Sequence, residues 1–364
     1  MTIPFVDVRP WAARLVPAAS IVFGLTSAAA QATERHAIPG GSVAVYNLAG
    51  RLRVEGGAGS DVVVEVTRGG ADASRLRIEK GPHRDWETLR VVYPADRVVY
   101  PRLEGSGSRT DLRVDEHGFF GDSDDSDRGL HFGRDRVQIR GSGDGLEAWA
   151  DLRVVVPRGK RVAVHLAVGE ALVANVDGDL SVDVHAASIT TEHTRGKLNL
   201  DTGSGSVRVS DAQGNVNLDT GSGGVTISNV RGDELRMDTG SGSINGSGID
   251  VHLLDADVGS GGVRLTGVKA SRISLDTGSG NTDVEVLTDV DDVNVDAGSG
   301  GVSLRLPANA GAEVEIETGS GGVETDFPIQ VSRMERNYLR GRLGDGRGRI
   351  KIDSGSGRVR LLKI

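Results

Sequence analysis

The tetrapeptide Asp-Thr-Gly-Ser begins at Asp201, Asp219, Asp238 and Asp276, each time behind a run of alternating apolar and polar residues. It matches the signature of the aspartic proteases, whose chemistry needs two carboxylates sharing one proton across a cleft, one from each of two lobes or subunits. Here the turn recurs too often to make one pair. The broader pattern Asp-x-Gly-Ser-Gly starts at Asp201, Asp219, Asp238, Asp257, Asp276, Asp296 and Asp353, with Glu317 once in the same slot. Successive spacings are 18, 19, 19, 19, 20, 21 and 36 residues. Such recurrence stacks carboxylates in a row instead of opposing two. A structural turn is therefore expected, with Asp and Ser oxygens accepting backbone N–H bonds beside the glycines. No catalytic residue is assigned.

Stacked carboxylates repel one another unless hydrogen bonds or cations offset them. Calcium is the hard cation suited to oxygen ligands, which makes Asp201, Asp219, Asp238, Asp257, Asp276 and Asp296 the candidate metal ligands. The nine-residue calcium-binding β-roll repeat is absent, so low-affinity calcium binding at most is expected, and no other cofactor. Asp122, Asp124, Asp125 and Asp127 resemble the start of an EF-hand but lack its glycine at position six and glutamate at position twelve, and read as a solvated acidic loop. The eight histidines show no i, i+4 pair, which argues against zinc. With no cysteine in the chain, disulfides, thiolate metal sites and a cysteine nucleophile are excluded. Phe119 and Phe120 stand together inside a polar stretch, where two rings either dock on a partner or sugar or tuck the loop onto the body.

The elements that carry the acids follow from the repeat itself. A period near 19 residues, repeated this often, signals a repeat architecture. In each unit a run such as Asn217-Leu218-Asp219-Thr220 alternates like a strand, Gly221-Ser222-Gly223-Gly224 forces a turn, and Val225-Thr226-Ile227-Ser228 alternates again. Two short strands and two corners fit one coil of a parallel β-solenoid. The aromatics are absent from residues 162–326, as a thin coil demands. The expected organisation is a signal peptide over residues 1–32, an N-terminal β region over 33–160, solenoid repeats over 161–326, and an Arg-rich insertion with a C-terminal cap over 327–364. The N-terminal region reads as sandwich-like or irregular all-β, with a long exposed acidic Gly/Ser loop, partly disordered, near 105–145. Arg333, Arg336, Arg340 and Arg342 in the insertion suit a cap better than a basic docking patch.

Bulk composition narrows the partners. A net charge of −9 gives no global attraction to nucleic acid. Arg9 and Arg14 precede an apolar stretch over residues 15–30 that closes on Ala30-Gln31-Ala32, the grammar of a cleaved export signal. Interrupted by Pro17 and Gly24, it is short for a membrane span, and no second apolar segment follows. The mature chain is expected to be exported, to the periplasm or the cell surface, and to have no transmembrane segment.

Three stretches carry a family resemblance. They are Gly41-Ser42-Val43-Ala44-Val45-Tyr46 with Gly50-Arg51-Leu52-Arg53-Val54; Leu152-Arg153-Val154-Val155-Val156-Pro157-Arg158-Gly159; and the closing Ile350-Lys351-Ile352-Asp353-Ser354-Gly355-Ser356-Gly357. Together they make the chain similar to the bacterial DUF4097 family, whose members are described as adhesins. The resemblance implies an exported β-solenoid of the cell envelope and brings no catalytic residue with it. The leading expectation is thus a non-enzymatic, adhesin-like envelope protein that binds or scaffolds through its repetitive surface. Its partner would be an envelope component, a glycan or a protein. Two alternatives stay open: a β-helix enzyme acting on polysaccharides, and a partner-binding protein of the envelope-stress response.

Overall fold

A computed structural model of the chain describes residues 33–103, 108–121 and 134–364. The export signal and the acidic run at Asp122, Asp124, Asp125 and Asp127 lie outside the described residues.

Alternation along the repeat puts every second side chain inside. Identical positions of successive units then stack in register and in parallel. Val216, Leu218 and Thr220 lie on Leu198, Leu200 and Thr202, and under Leu235, Met237 and Thr239. This is the first face of each coil. The second face stacks Val207, Val225, Ile244 and Val263 in one column and Val209, Ile227, Gly246 and Leu265 in the next. The inward residues are almost wholly buried, each apolar side chain contributing about 1.5–3 kcal/mol. The result is a parallel β-solenoid, and the described strands other than four short ones belong to one sheet of 23 strands.

Two short strands per unit were expected, yet the strands Val225–Ser241, Ile244–Ser260 and Val263–Ser279 run on through a corner. One residue in the left-handed region bends each of them. Asn175, His193, Asp211, Asn229, Gly248 and Gly267 occupy this corner in successive coils, with φ between 52° and 65°. Asn and Asp tolerate that region far better than most residues. Asn229 Nδ2 also donates to Asp211 Oδ1 of the coil before it, at 3.1 Å. At the other corner most coils carry glycine, with Ala187 the exception in its column. Gly223 has φ +151°, and a Cβ there would strike the Gly205 carbonyl of the adjacent coil.

Both ends of the stack are closed by a clasp. At the N-terminal end, the strand Ser42–Gly57 lies in register on Lys160–Ala174. Its other edge is covered by Trp86–Val92 on the first face and Trp149–Pro157 on the second. Hence the solenoid does not begin near residue 160, and residues 33–160 do not form a separate sandwich: the first coils are drawn from that region. The kinship is visible in Ser42-Val43-Ala44-Val45 and Arg161-Val162-Ala163-Val164, each followed by a corner glycine, Gly50 and Gly169. The intervening residues hide the period. Antiparallel strands then block the edge: Arg77–His83 on Trp86–Val92, Val62–Gly69 on Trp149–Pro157, and Thr33–Ile38 outermost. An edge so paired offers no template for further parallel strands.

The region near 105–145 also departs from expectation. Arg109–Asp115 and Arg134–Arg140 pair antiparallel, and with Arg97–Val99 and Leu146–Glu147 they make a separate four-stranded sheet. Cross-strand contacts such as Gln138 Nε2 to Asp111 Oδ1 at 3.0 Å hold it. Residues 104–107 and 122–133 of the expected loop lie outside the described residues.

At the C-terminal end the chain skips a level. Residues 312–325 form the outer coil, and Ile329–Glu335 with Tyr338–Leu343 fold over it as an antiparallel hairpin. The chain then returns. Gly348–Ser354 and Val359–Lys363 slot between residues 292–306 below and 312–325 above, parallel to both. So the Arg-rich insertion is the cap, whereas the final strand is an interior coil. The spacing of 36 residues before Asp353 is explained, because Asp353 lies between Asp296 and Glu317 in the stack. Among the described residues no helix is long and apolar enough to cross a membrane.

Candidate ligand-binding face

The repeat acids point outward from the first face, opposite in phase to the buried threonines. Asp183, Asp201, Asp219, Asp238, Asp257, Asp276, Asp296, Asp353 and Glu317 follow one another in a single in-register column. Neighbours are one parallel-strand spacing apart, about 4.8 Å. All six candidate metal ligands are therefore brought into one row, and all are exposed. Partial burial, with the charges of Asp219, Asp257 and Asp255, holds Asp238 above the ordinary aspartate value. Asp276 is raised in the same way by burial and by Asp257 and Asp296. The motif's buried hydroxyls bond the turn: Thr202 Oγ1 donates to the Ala187 carbonyl at 3.1 Å and Thr318 Oγ1 to the Gly321 carbonyl at 2.9 Å. The threonine thus ties the corner to the strand. No group of three metal-capable side chains converges among the described residues; a row offers each cation one or two carboxylates.

At its N-terminal end the column changes chemistry. Beyond Asp183 the same position holds His165, then Tyr46, then Arg90. His165 Nδ1 is 2.9 Å from Asp183 Oδ2, and its ring stacks on Tyr46 at 4.3 Å between centroids. Phe119 and Phe120 pack here. Each is only 7% exposed, and both rings meet Tyr46 edge-on, at 5.1 and 5.9 Å. They are not an exposed docking pair: they tuck their loop against Tyr46, with the Arg90 guanidinium 4.6 Å above Phe119.

Beside this aromatic head lies a cleft of about 610 Å³ that sequence reasoning did not single out. Its floor is made by small residues of adjacent coils, Ala44, Ala163 and Ser181, continuing into Asn199. Tyr46, His83 and His165 stand on one side; Trp86, Arg84, Arg161 and Lys197 complete the wall. The hairpin of Arg77–His83 with Trp86–Val92 carries His83, Arg84 and Trp86 over the floor. The Arg161 guanidinium lies 4.4 Å from the centre of the Trp86 ring. No periodicity marks these residues, because they come from the hairpin and from separate coils. The signal that was present is the polar pair Arg84-Asp85 shortly after Gly81-Pro82 and before the apolar-bearing run Trp86–Val92.

Comparison with known proteins adds a family. The family model Toastrack DUF4097 matches residues 150–362. No curated protein matches the chain. A solved structure from Clostridium sporogenes ATCC 15579, named "putative cell adhesion protein", aligns over 92% of this chain and 99% of its own, at 10% identity and a TM-score of 0.19. At those values the likeness shows neither a shared fold nor a shared role.

Proposed function

From the membership of this chain in the Toastrack DUF4097 family, matched over residues 150–362, we propose that it is an exported, non-enzymatic protein of the cell envelope. It binds envelope material through the first face of its solenoid, in an adhesin-like role. The observation that carries this reading is the register of that face. Polar side chains repeat in straight columns, Ser181-Asn199-Asn217-Arg236 beside Asp183-Asp201-Asp219-Asp238, across unbroken parallel strands. A flat, rigid array of this kind meets an extended partner at many equivalent points, and repeat proteins commonly use their extended surfaces so. The protease reading finds no support in the geometry, since the aspartates are exposed neighbours in one row and not a facing pair in a cleft.

Co-sedimentation of the purified protein with isolated cell envelopes tests the proposal. Saturable, competable binding supports it. Failure to sediment at any protein concentration, with the protein folded, would count against it.

A further inference from the structure

Resting on the reading above and naming its ligand class, we propose that the cleft under the Arg84 hairpin binds an acidic saccharide. The sugar ring lies against Trp86 and Tyr46, and its carboxylate is held by Arg84, Arg161 and Lys197.

Charge gives the first argument. The chain as a whole carries −9, yet among the described residues that line the cleft Arg161 and Lys197, with Arg84 at the hairpin tip, stand with one carboxylate, that of Asp179. That carboxylate is already engaged, accepting the Lys197 backbone N–H at 3.0 Å. The ion pairs nearby, Arg158 with Asp177 and His193 with Asp211, leave Arg161 and Lys197 without a carboxylate partner among the described residues. Arg161 is placed over the Trp86 ring, and a guanidinium carries the planar fork of donors that suits bidentate carboxylate binding.

Backbone strain is the second. Arg84 sits at the tip of a two-residue hairpin with φ +53°, where Gly, Asn or Asp is favoured. An arginine there costs about 1–2 kcal/mol. Strained residues of this kind cluster at ligand sites, and this one hangs over the cleft.

The two sides of the cleft then select the ligand. Cations line one edge; toward the other run Asp183 and Asp201, next to the floor column of Ser181 and Asn199. A ligand charged on every side would be repelled by that row. One with a single anionic edge and hydroxyls elsewhere fits both, because carboxylates and amides accept hydroxyl protons. Small floor residues and aromatic walls accommodate a flat sugar ring. The volume lies within the usual range of roughly 300–1,000 Å³. Down the stack the floor stays open along Asn199, Asn217 and Arg236, so the sugar can be one residue of a longer chain.

Calorimetry with galacturonate and glucuronate trisaccharides, neutral trisaccharides and sodium acetate tests the site. The acidic trisaccharides are expected to bind about tenfold or more tighter than the neutral ones, with no saturable binding of acetate. Lys197→Gln and Arg84→Gly are each expected to weaken binding about tenfold. Arg84→Gly should do so with an unchanged or higher Tm, since glycine relieves the strain. Lys269→Gln, the same charge change at a distant exposed position, should leave affinity unchanged. No saturable binding of either acidic series, equal binding of neutral sugars, or affinity unaltered in both cleft variants would overturn the proposal. Envelope binding that survives both cleft variants would overturn this site while leaving the wider reading intact; a wild-type protein that binds no envelope strikes the wider reading itself.

Discussion

His165 and Asp183, one coil apart in the same outward column, are joined by a hydrogen bond of 2.9 Å between Nδ1 and Oδ2. The pair marks the place where a row of carboxylates gives way to aromatic rings. Its imidazole serves both sides, bonding the acid on one edge and stacking on Tyr46 through its face. His165→Leu should therefore remove a hydrogen bond and an aromatic contact together. The expected loss is about 1–3 kcal/mol in urea denaturation. A variant as stable as wild type would show that the pair contributes nothing.

The acid row makes stability depend on pH in a predictable sense. Asp238 and Asp276 have folded-state values raised above those of the unfolded chain. A raised carboxylate favours the folded state when protonated, so its contribution is fully present below the unfolded value and lost as pH rises through the folded one. Asp238→Asn and Asp276→Asn should leave Tm unchanged near pH 3 and raise it at pH 7, the gain appearing across the carboxylate range. Because both side chains are exposed, added salt should shrink the gain. Thermal melts of the variants from pH 3 to 7 at two ionic strengths check this, and a gain at pH 3 equal to that at pH 7 would refute it.

Gly321 and Gly322 are adjacent, yet only one is required. A Cβ on Gly321 would strike the Gly357 carbonyl, whereas one on Gly322 meets nothing within 4 Å. Gly321→Ala should cost upwards of about 2 kcal/mol and Gly322→Ala no more than about 0.5 kcal/mol, read from denaturation midpoints. Equal effects would contradict the stacking of carbonyl on glycine.

The interior position of the last coil also has a consequence. Ending the chain at residue 347 removes the strands that pair with residues 292–306 on one side and 312–325 on the other. Hydrogen exchange should then accelerate throughout residues 292–343. Coils built on neighbour contacts alone should keep their protection over residues 178–260. Exchange unchanged at the C-terminal end would place the final strand outside the stack.

The solenoid was legible because a period near 19 residues and strict alternation leave few other ways to bury Val, Leu and Ile. What escaped was everything that breaks the period. The kinship of residues 42–57 with 161–174 is masked by the insertion between them, and the return of residues 348–363 into the stack reads in sequence as a plain terminal strand. Phe119 and Phe120 were recognisable as unusual, but their burial depends on Tyr46, which a sequence cannot place beside them. For the cleft the obstacle was the same. Arg84, Trp86, Arg161 and Lys197 are unremarkable singly and meet only through the hairpin and the stacking of coils. The outward alignment of Asp201 through Asp296, by contrast, follows directly from the repeat.

The claim that the first face binds envelope material is tested most directly by blocking one face at a time. The chain contains no cysteine, so a single one can be introduced and capped with a bulky maleimide: Asn217→Cys on the first face, or Thr226→Cys on the second, both at exposed positions. Envelope co-sedimentation should be lost on capping Asn217→Cys and retained on capping Thr226→Cys. Retention by the first with loss by the second, or indifference to both, would contradict the account.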